Sequence, residues 1–162
     1  FVEIGGGIRT MDTVDAYLSA GVDRVILGTA AVTDPAFLKA AVDRYGEHIS
    51  VGADVKDGRI AIRGWLETAS VTLDAFLRSM QAVGVRHVIC TDISKDGAMR
   101  GTNRALYREL SEKYDLLITA SGGVSSIEDV EALRALGLYG AIIGKAYYTG
   151  AIDLKKAIEA AL

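Results

Sequence analysis

A chain of 162 residues, half of them hydrophobic, is long enough to bury one sizeable core, and no Pro/Ser-rich stretch divides it, so one domain or a piece of one is expected. Its formal charge of −3 rests on 18 basic and 21 acidic residues spread without blocks, which argues against a general nucleic-acid surface, and no apolar run approaches the roughly 18 residues of a membrane span. The single cysteine, Cys90, cannot form an internal disulfide, so a soluble protein of a reducing compartment, the cytoplasm, is expected, with neither nucleic acid nor membrane as partner.

In chain order, short apolar runs recur with an amphipathic segment after each: FVEI, DRVILG, HISVGAD, RHVICTD, LLITAS and GAIIG. They predict six strands, each followed by a helix. Thr10 or Asp12 can cap the first helix and Gly21 end it; Asp34-Pro35 starts the second and Gly46 closes it; Gly84 and Gly137 end later ones. Strands apolar on both faces and alternating with helices form a parallel sheet, because parallel neighbours need a crossover. An open doubly wound sheet and a (β/α)8 barrel both satisfy this, and both gather chemistry at the carboxyl ends of the strands.

An internal repeat chooses between them. Residues 5–30, GGGIRTMDTVDAYLSAGVDRVILGTA, align without a gap on 121–146, SGGVSSIEDVEALRALGLYGAIIGKA, so that Gly6 falls on Gly122, an offset of 116 (122 − 6). The first strand matches the fifth and the second the sixth, so the repeating unit is four βα pairs, and two such units close an eight-stranded barrel. The expected fold is therefore a (β/α)8 TIM barrel of which strands three to eight are present. Residues 1–162 are then one partial barrel domain without its first two βα units.

In each repeat one strand ends in Gly-Gly (Gly6, Gly7; Gly122, Gly123), and the next ends in Gly28-Thr29-Ala or Gly144-Lys145-Ala. Such glycines let backbone amides approach a ligand, the following helix start adds its dipole, and Thr29 and Lys145 offer a hydroxyl and a charge. Tight turns and helix packing are the alternative use. Two sites in register favour phosphate, and imply a small molecule with a phosphate at each end. GGGIRT fills only two glycines of the dinucleotide G-x-G-x-x-G pattern. DISKDGAMRGTN resembles a calcium loop but has Asn103 at its twelfth place, and no Cys/His cluster has metal spacing. Neither a nicotinamide site nor a metal site is expected.

Asp54 ends HISVGAD, where a carboxylate is costly unless it faces a polar mouth, so it is read as an inward catalytic group rather than a turn residue. Thr91 closes the next strand beside Asp92, and the KDG turn presents Asp96, which an Asx-turn explains equally well. Arg9 can clamp an anion or lie on the surface. Trp65, the only tryptophan, sits in the longest loop and can stack on a planar ring or pack as a lid on the rim. Cys90, His48 and His87 are assigned packing or surface roles.

GGGIR, GADVKDGRIAIRGW, TDISKDGAMRGTN, ASGGVSSIEDV and IIGKA together closely resemble the histidine-biosynthetic isomerase family that acts on phosphoribosylformimino-aminoimidazole carboxamide ribotide. The resemblance covers essentially the whole chain. It implies an Amadori rearrangement, aminoaldose to aminoketose, of a bisphosphate ribotide by acid and base alone, with no metal or organic cofactor. Asp54 matches the general acid that opens the ribose ring; Thr91 and Asp96 match residues that orient it; Arg9 matches a substrate-contacting arginine, and Trp65 a loop residue that covers the ligand. The family's base, an aspartate ending strand one, would lie upstream of Phe1. A monomeric parent is implied, while this chain alone is expected to be inactive and to self-associate through open edges at 1–4 and 140–143. Other readings are a non-catalytic phosphate-ligand module or half-barrel assembly piece, an isomerase that also accepts phosphoribosyl anthranilate, and the cyclase subunit of the same pathway, whose resemblance is weaker.

Overall fold

The computed structural model describes residues 1–162, which divide into two compact units, Phe1–Ile89 and Cys90–Leu162. In the first, β1 (Glu3–Gly5), β2 (Arg24–Leu27) and β3 (Ile49–Lys56) are parallel, with Ile4 opposite Val25 and Ile26 opposite Ser50. Helices α1 (Met11–Ser19), α2 (Thr29–Thr33) and α3 (Pro35–Tyr45) fill the crossovers. Thr10 caps α1 by accepting from the Thr13 amide, Asp34 caps α3 by accepting from Phe37, and Pro35 occupies the first helical turn, where its missing N–H costs nothing. Val14, Val25, Leu27, Leu38, Ile49 and Leu77 form the core.

Where one long loop was expected, the chain builds two more strands. β3 runs past Asp54 and turns at Asp57-Gly58 into β4 (Arg59–Ile62), which pairs antiparallel with β3 and with β5 (Glu67–Thr72). Asp57 and Gly58 have φ of 51° and 74°, the paired left-handed conformation of a two-residue hairpin turn for which Asp-Gly is the favoured sequence. Asp54 is consequently not the last residue of its strand: it lies within β3, opposite Ala61. The apolar start FVEI also forms less strand than expected. Phe1 and Val2 are exposed and only Ile4 of β1 is half-buried, because β1 pairs on one side only, with β2.

After β5 come α4 (Leu73–Val83) and β6 (His87–Asp92), the strand in which the division between the units falls. The second unit continues with α5 (Arg104–Lys113), β7 (Leu117–Ser121), α6 (Ile127–Ala135), β8 (Gly140–Ala141), α7 (Lys145–Tyr148) and α8 (Leu154–Ala161). β7 and β8 are parallel, with Thr119 opposite Gly140, and Tyr107, Leu110, Ile118, Leu133 and Ala157 are buried. Six βα units in this order make an α/β fold of the TIM-barrel type. No helix is long and apolar enough to cross a membrane.

The offset of 116 is preserved in backbone geometry. Gly6 and Gly122 have φ of 111° and 97°, and Gly7 and Gly123 have 68° and 83°. Thr10 and Ser126 cap α1 and α6 through the same side-chain bond, and those helices end at Ala20 and Leu136 with φ, ψ of −77°, −1° and −81°, −1°. Gly28 and Gly144 share an unusual conformation, −97°, −105° and −101°, −101°. The sequence repeat is therefore a structural one.

Candidate functional site

Each unit carries a polar cleft built on its copy of the repeat. In Phe1–Ile89, a cleft of about 610 Å³ is lined by Gly7, Arg9, Thr29, Thr33, Arg63 and Gly64. The loop between β4 and β5 forms one wall. Its Arg63, Gly64 and Trp65 have consecutive φ values of 54°, 64° and 70°, a left-handed run that two of the three residues adopt only at a cost of about 1–3 kcal/mol each. Two bonds hold it: the Arg63 amide donates to Thr29 Oγ1 at 3.0 Å, and Trp65 Nε1 donates to Asp54 Oδ2 at 2.9 Å. The Arg63 guanidinium pairs with Glu67 at 2.9 Å.

In Cys90–Leu162, a smaller cavity of about 50 Å³ is lined by Asp96, Gly97 and Met99 from one loop, Ser121 to Val124 from the next, and Ile142, Gly144 and Lys145 from the last. Lys145 Nζ donates to the Gly97 carbonyl at 3.1 Å, which aims a cation along this cavity. Space there is tight. A Cβ on Gly122 would stand 2.6 Å from the Asp92 carbonyl oxygen, and one on Gly123 would collide with the Gly101 carbonyl, whereas Cβ atoms on Gly6 and Gly7 would meet nothing within 4 Å. The glycines of the second copy are thus demanded by space as well as by conformation.

The surrounding loops are braced by buried carboxylates. Asp92 Oδ1 accepts from the Ser94 amide and hydroxyl at 2.9 and 2.6 Å, and its Oδ2 from Asn103 at 2.6 Å, while Asn103 caps α5. The stretch that resembles a calcium loop is folded around this aspartate. Asp129 accepts from the Ser125 amide and hydroxyl, both at 3.1 Å, and from Arg104 at 3.0 Å. Burial pushes its carboxyl up, but these donors outweigh it and the net result lies below the ordinary value. Burial likewise raises the Tyr107 phenol far above its ordinary value, so that it remains a protonated donor.

The structure brings Gly7, Arg9 and Thr29 together in one cleft, and Asp96, Gly122, Gly123, Gly144 and Lys145 in the other; Gly6 and Gly28 adjoin the first without lining it. Asp54, half-buried, and Trp65, 46% exposed, form a bonded pair. Thr91 is buried at the penultimate position of β6 and lines neither cleft. The helices that follow Gly28 and Gly144 have only five and four residues, so their dipoles are small, and any anion there must be held by individual amides and side chains. Sequence reasoning missed Arg63, although its place two residues before the lone tryptophan, beside a glycine, was a usable signal. It also missed Tyr107, for which helical spacing gives no signal beyond an ordinary core aromatic.

Comparison with known proteins adds what geometry cannot. Residues 1–153 match a protein-family model described as "Histidine biosynthesis protein". The chain belongs to that family. Among curated members, a protein of Listeria monocytogenes serotype 4a (strain HCC23) is 50% identical over 158 residues, covering 98% of this chain and 66% of the relative. One from Clostridium botulinum (strain Hall / ATCC 3502 / NCTC 13319 / Type A) is 44% identical over 158 residues, 98% of this chain and 65% of the relative. Both are named 1-(5-phosphoribosyl)-5-((5-phosphoribosylamino)methylideneamino)imidazole-4-carboxamide isomerase. The chain thus spans just under two thirds of the length of these family members.

Proposed function

We propose that this chain belongs to an isomerase that converts a bisphosphate aminoaldose ribotide of histidine biosynthesis into its aminoketose. The observation that carries the reading is the pair of polar clefts, each on one copy of the repeat and each combining glycine amides with a cation or hydroxyl: Gly7, Arg9 and Thr29 in one, Gly122, Gly123, Gly144 and Lys145 in the other. Each cleft by itself suits one phosphate group. The names of the relatives, each a compound with two phosphoribosyl groups, support the same substrate class.

In this reading Asp54 gives a proton to the ribose ring oxygen as the C1′–O bond breaks. The C2′ proton passes to a carboxylate base, giving an enolamine, and protonation at C1′ with loss of the C2′ hydroxyl proton leaves the ketose, so proton gains and losses cancel with no cofactor. The Trp65 indole N–H fills Oδ2 of Asp54, leaving Oδ1 to carry and deliver the proton. Trp65 then covers the ligand, Arg9 contacts it, and Thr91 and Asp96 orient the reacting ribose. A cytoplasmic setting and a small-molecule partner, without nucleic acid or membrane, complete the proposal, together with self-association of this chain through the outer edges of β1 and β8.

Calorimetry with the ketose ribotide tests the substrate class: saturable binding supports it, and absence of binding removes it. Asp54→Asn should keep that affinity while lowering turnover of a protein containing this chain by about 10²-fold or more. Undiminished turnover would eliminate Asp54 as the acid.

A further inference from the structure

Tyr107 is fully buried on α5, in its first turn, and its hydroxyl lies at the carboxyl ends of two strands. It donates to the Ser121 carbonyl at 2.6 Å, lies 3.0 Å from the Cys90 carbonyl, and accepts from the Ser121 amide at 3.2 Å. Both backbone polar groups of Ser121 are thus engaged by one side chain. Ser121 immediately precedes Gly122 and Gly123, whose left-handed backbone leaves the strand at that point, and it lines the cavity with them. Cys90 immediately precedes Thr91 and Asp92, and the Asp92 carbonyl is the atom against which Gly122 is closely packed. A rigid aromatic anchored in the helix fixes these backbone segments where neither has freedom to adjust.

We infer that Tyr107 is a positioning residue for anion binding: its hydroxyl sets the height and direction of the Gly122–Gly123 amides. The inference rests on the phosphate reading of this cavity. Burial keeps the phenol protonated, so the strut does not titrate in the neutral range. Removing only the oxygen leaves the ring in place but frees the Ser121 amide and carbonyl to rotate away.

The test is titration of the chain with inorganic phosphate, followed through backbone amide resonances, in the original sequence and in Tyr107→Phe. The expected result is saturable shifts at Gly122, Gly123 and Gly144 whose midpoint moves about tenfold higher in Tyr107→Phe, while the midpoint at Gly7 and Thr29 stays unchanged. A purely structural role would leave the midpoint of the folded protein alone, so equal midpoints at Gly122 and Gly123 overturn the inference. Absence of phosphate shifts in the original sequence overturns the phosphate reading, and the inference with it. If Tyr107→Phe does not fold, fluorotyrosine in the original sequence carries the test. A Tyr107 fluorine signal that moves with the same midpoint as the Gly123 amide supports positioning, and one indifferent to phosphate refutes it.

Discussion

Replacing Gly6 and Gly122 in turn by alanine separates conformational demand from spatial demand at equivalent places in the repeat. Their φ values, 111° and 97°, are close, so the strain of forcing an L side chain into this region, about 1–3 kcal/mol, is nearly the same in both and cancels in the comparison. What remains is the added methyl. At Gly6 it meets nothing within 4 Å; at Gly122 it would stand 2.6 Å from the Asp92 carbonyl oxygen and 3.4 Å from the Asp96 amide nitrogen, both backbone atoms that no rotamer change can move. Overpacking of a site that cannot relax costs about 1–3 kcal/mol. Gly122→Ala should therefore lose that much more stability than Gly6→Ala in urea denaturation followed by circular dichroism. A difference below about 0.5 kcal/mol would refute the steric argument. Gly7 and Gly123 form a second pair, for which the same ordering is expected.

Lys145→Met should weaken inorganic phosphate binding at Gly122, Gly123 and Gly144 by about tenfold without changing the Gly7 cleft, because it removes the cation held by the Gly97 carbonyl; amide resonances read this directly. His87 accepts at Nε2 from Arg24 Nη2 at 3.0 Å and is neutral. Burial first, and Arg24 next with Arg86 adding to it, hold it below its ordinary 6.5 against the opposing pull of Glu47 and Glu3. The unfolded chain binds a proton near pH 6.5 that the folded chain refuses, so urea midpoints should fall as pH drops below about 6.5, and His87→Gln should flatten that fall; a midpoint constant from pH 7.5 to 5.5 would contradict it. Asp129→Ala strands the Ser125 amide and hydroxyl and frees Arg104, whose half-exposed side chain limits the loss to about 2 kcal/mol. Because the Asp129 carboxyl is held below its ordinary 3.8, its contribution is present above that pH and is lost as pH falls through the folded value, well apart from the His87 window.

The parallel βα plan was legible because each strand is a short apolar run and each helix has its own punctuation. Thr10, Asp34-Pro35, Gly46 and Gly84 stand at the ends the sequence indicates. The repeat was legible for the same reason: glycine at Gly6, Gly7, Gly122 and Gly123 records a backbone sign that other residues avoid. The β4–β5 excursion was not, since RIAI and ETASVT are short and their pairing depends on the Asp57-Gly58 turn, which marks a reversal without fixing the strands on either side of it. The place of Arg63 in the cleft wall depends on that excursion, and the contacts of Tyr107 depend on strand ends far from it in the chain. Neither follows from local pattern. The Asp54–Trp65 bond likewise joins residues that sequence reasoning could only name separately.

The antiparallel meander of β3, β4 and β5 also bears on the order in which the chain acquires structure. Its ladders close over a two-residue turn and a four-residue loop, whereas every parallel pair must first bring together segments separated by a whole crossover. Hairpins form in about 1–10 μs, and closure over longer separations is entropically slower. The segment that carries Asp54 and Trp65 is therefore the one able to form pairings early, from contacts of its own. Refolding around Asp54 should precede that of the glycine clefts, which wait for strands distant in sequence.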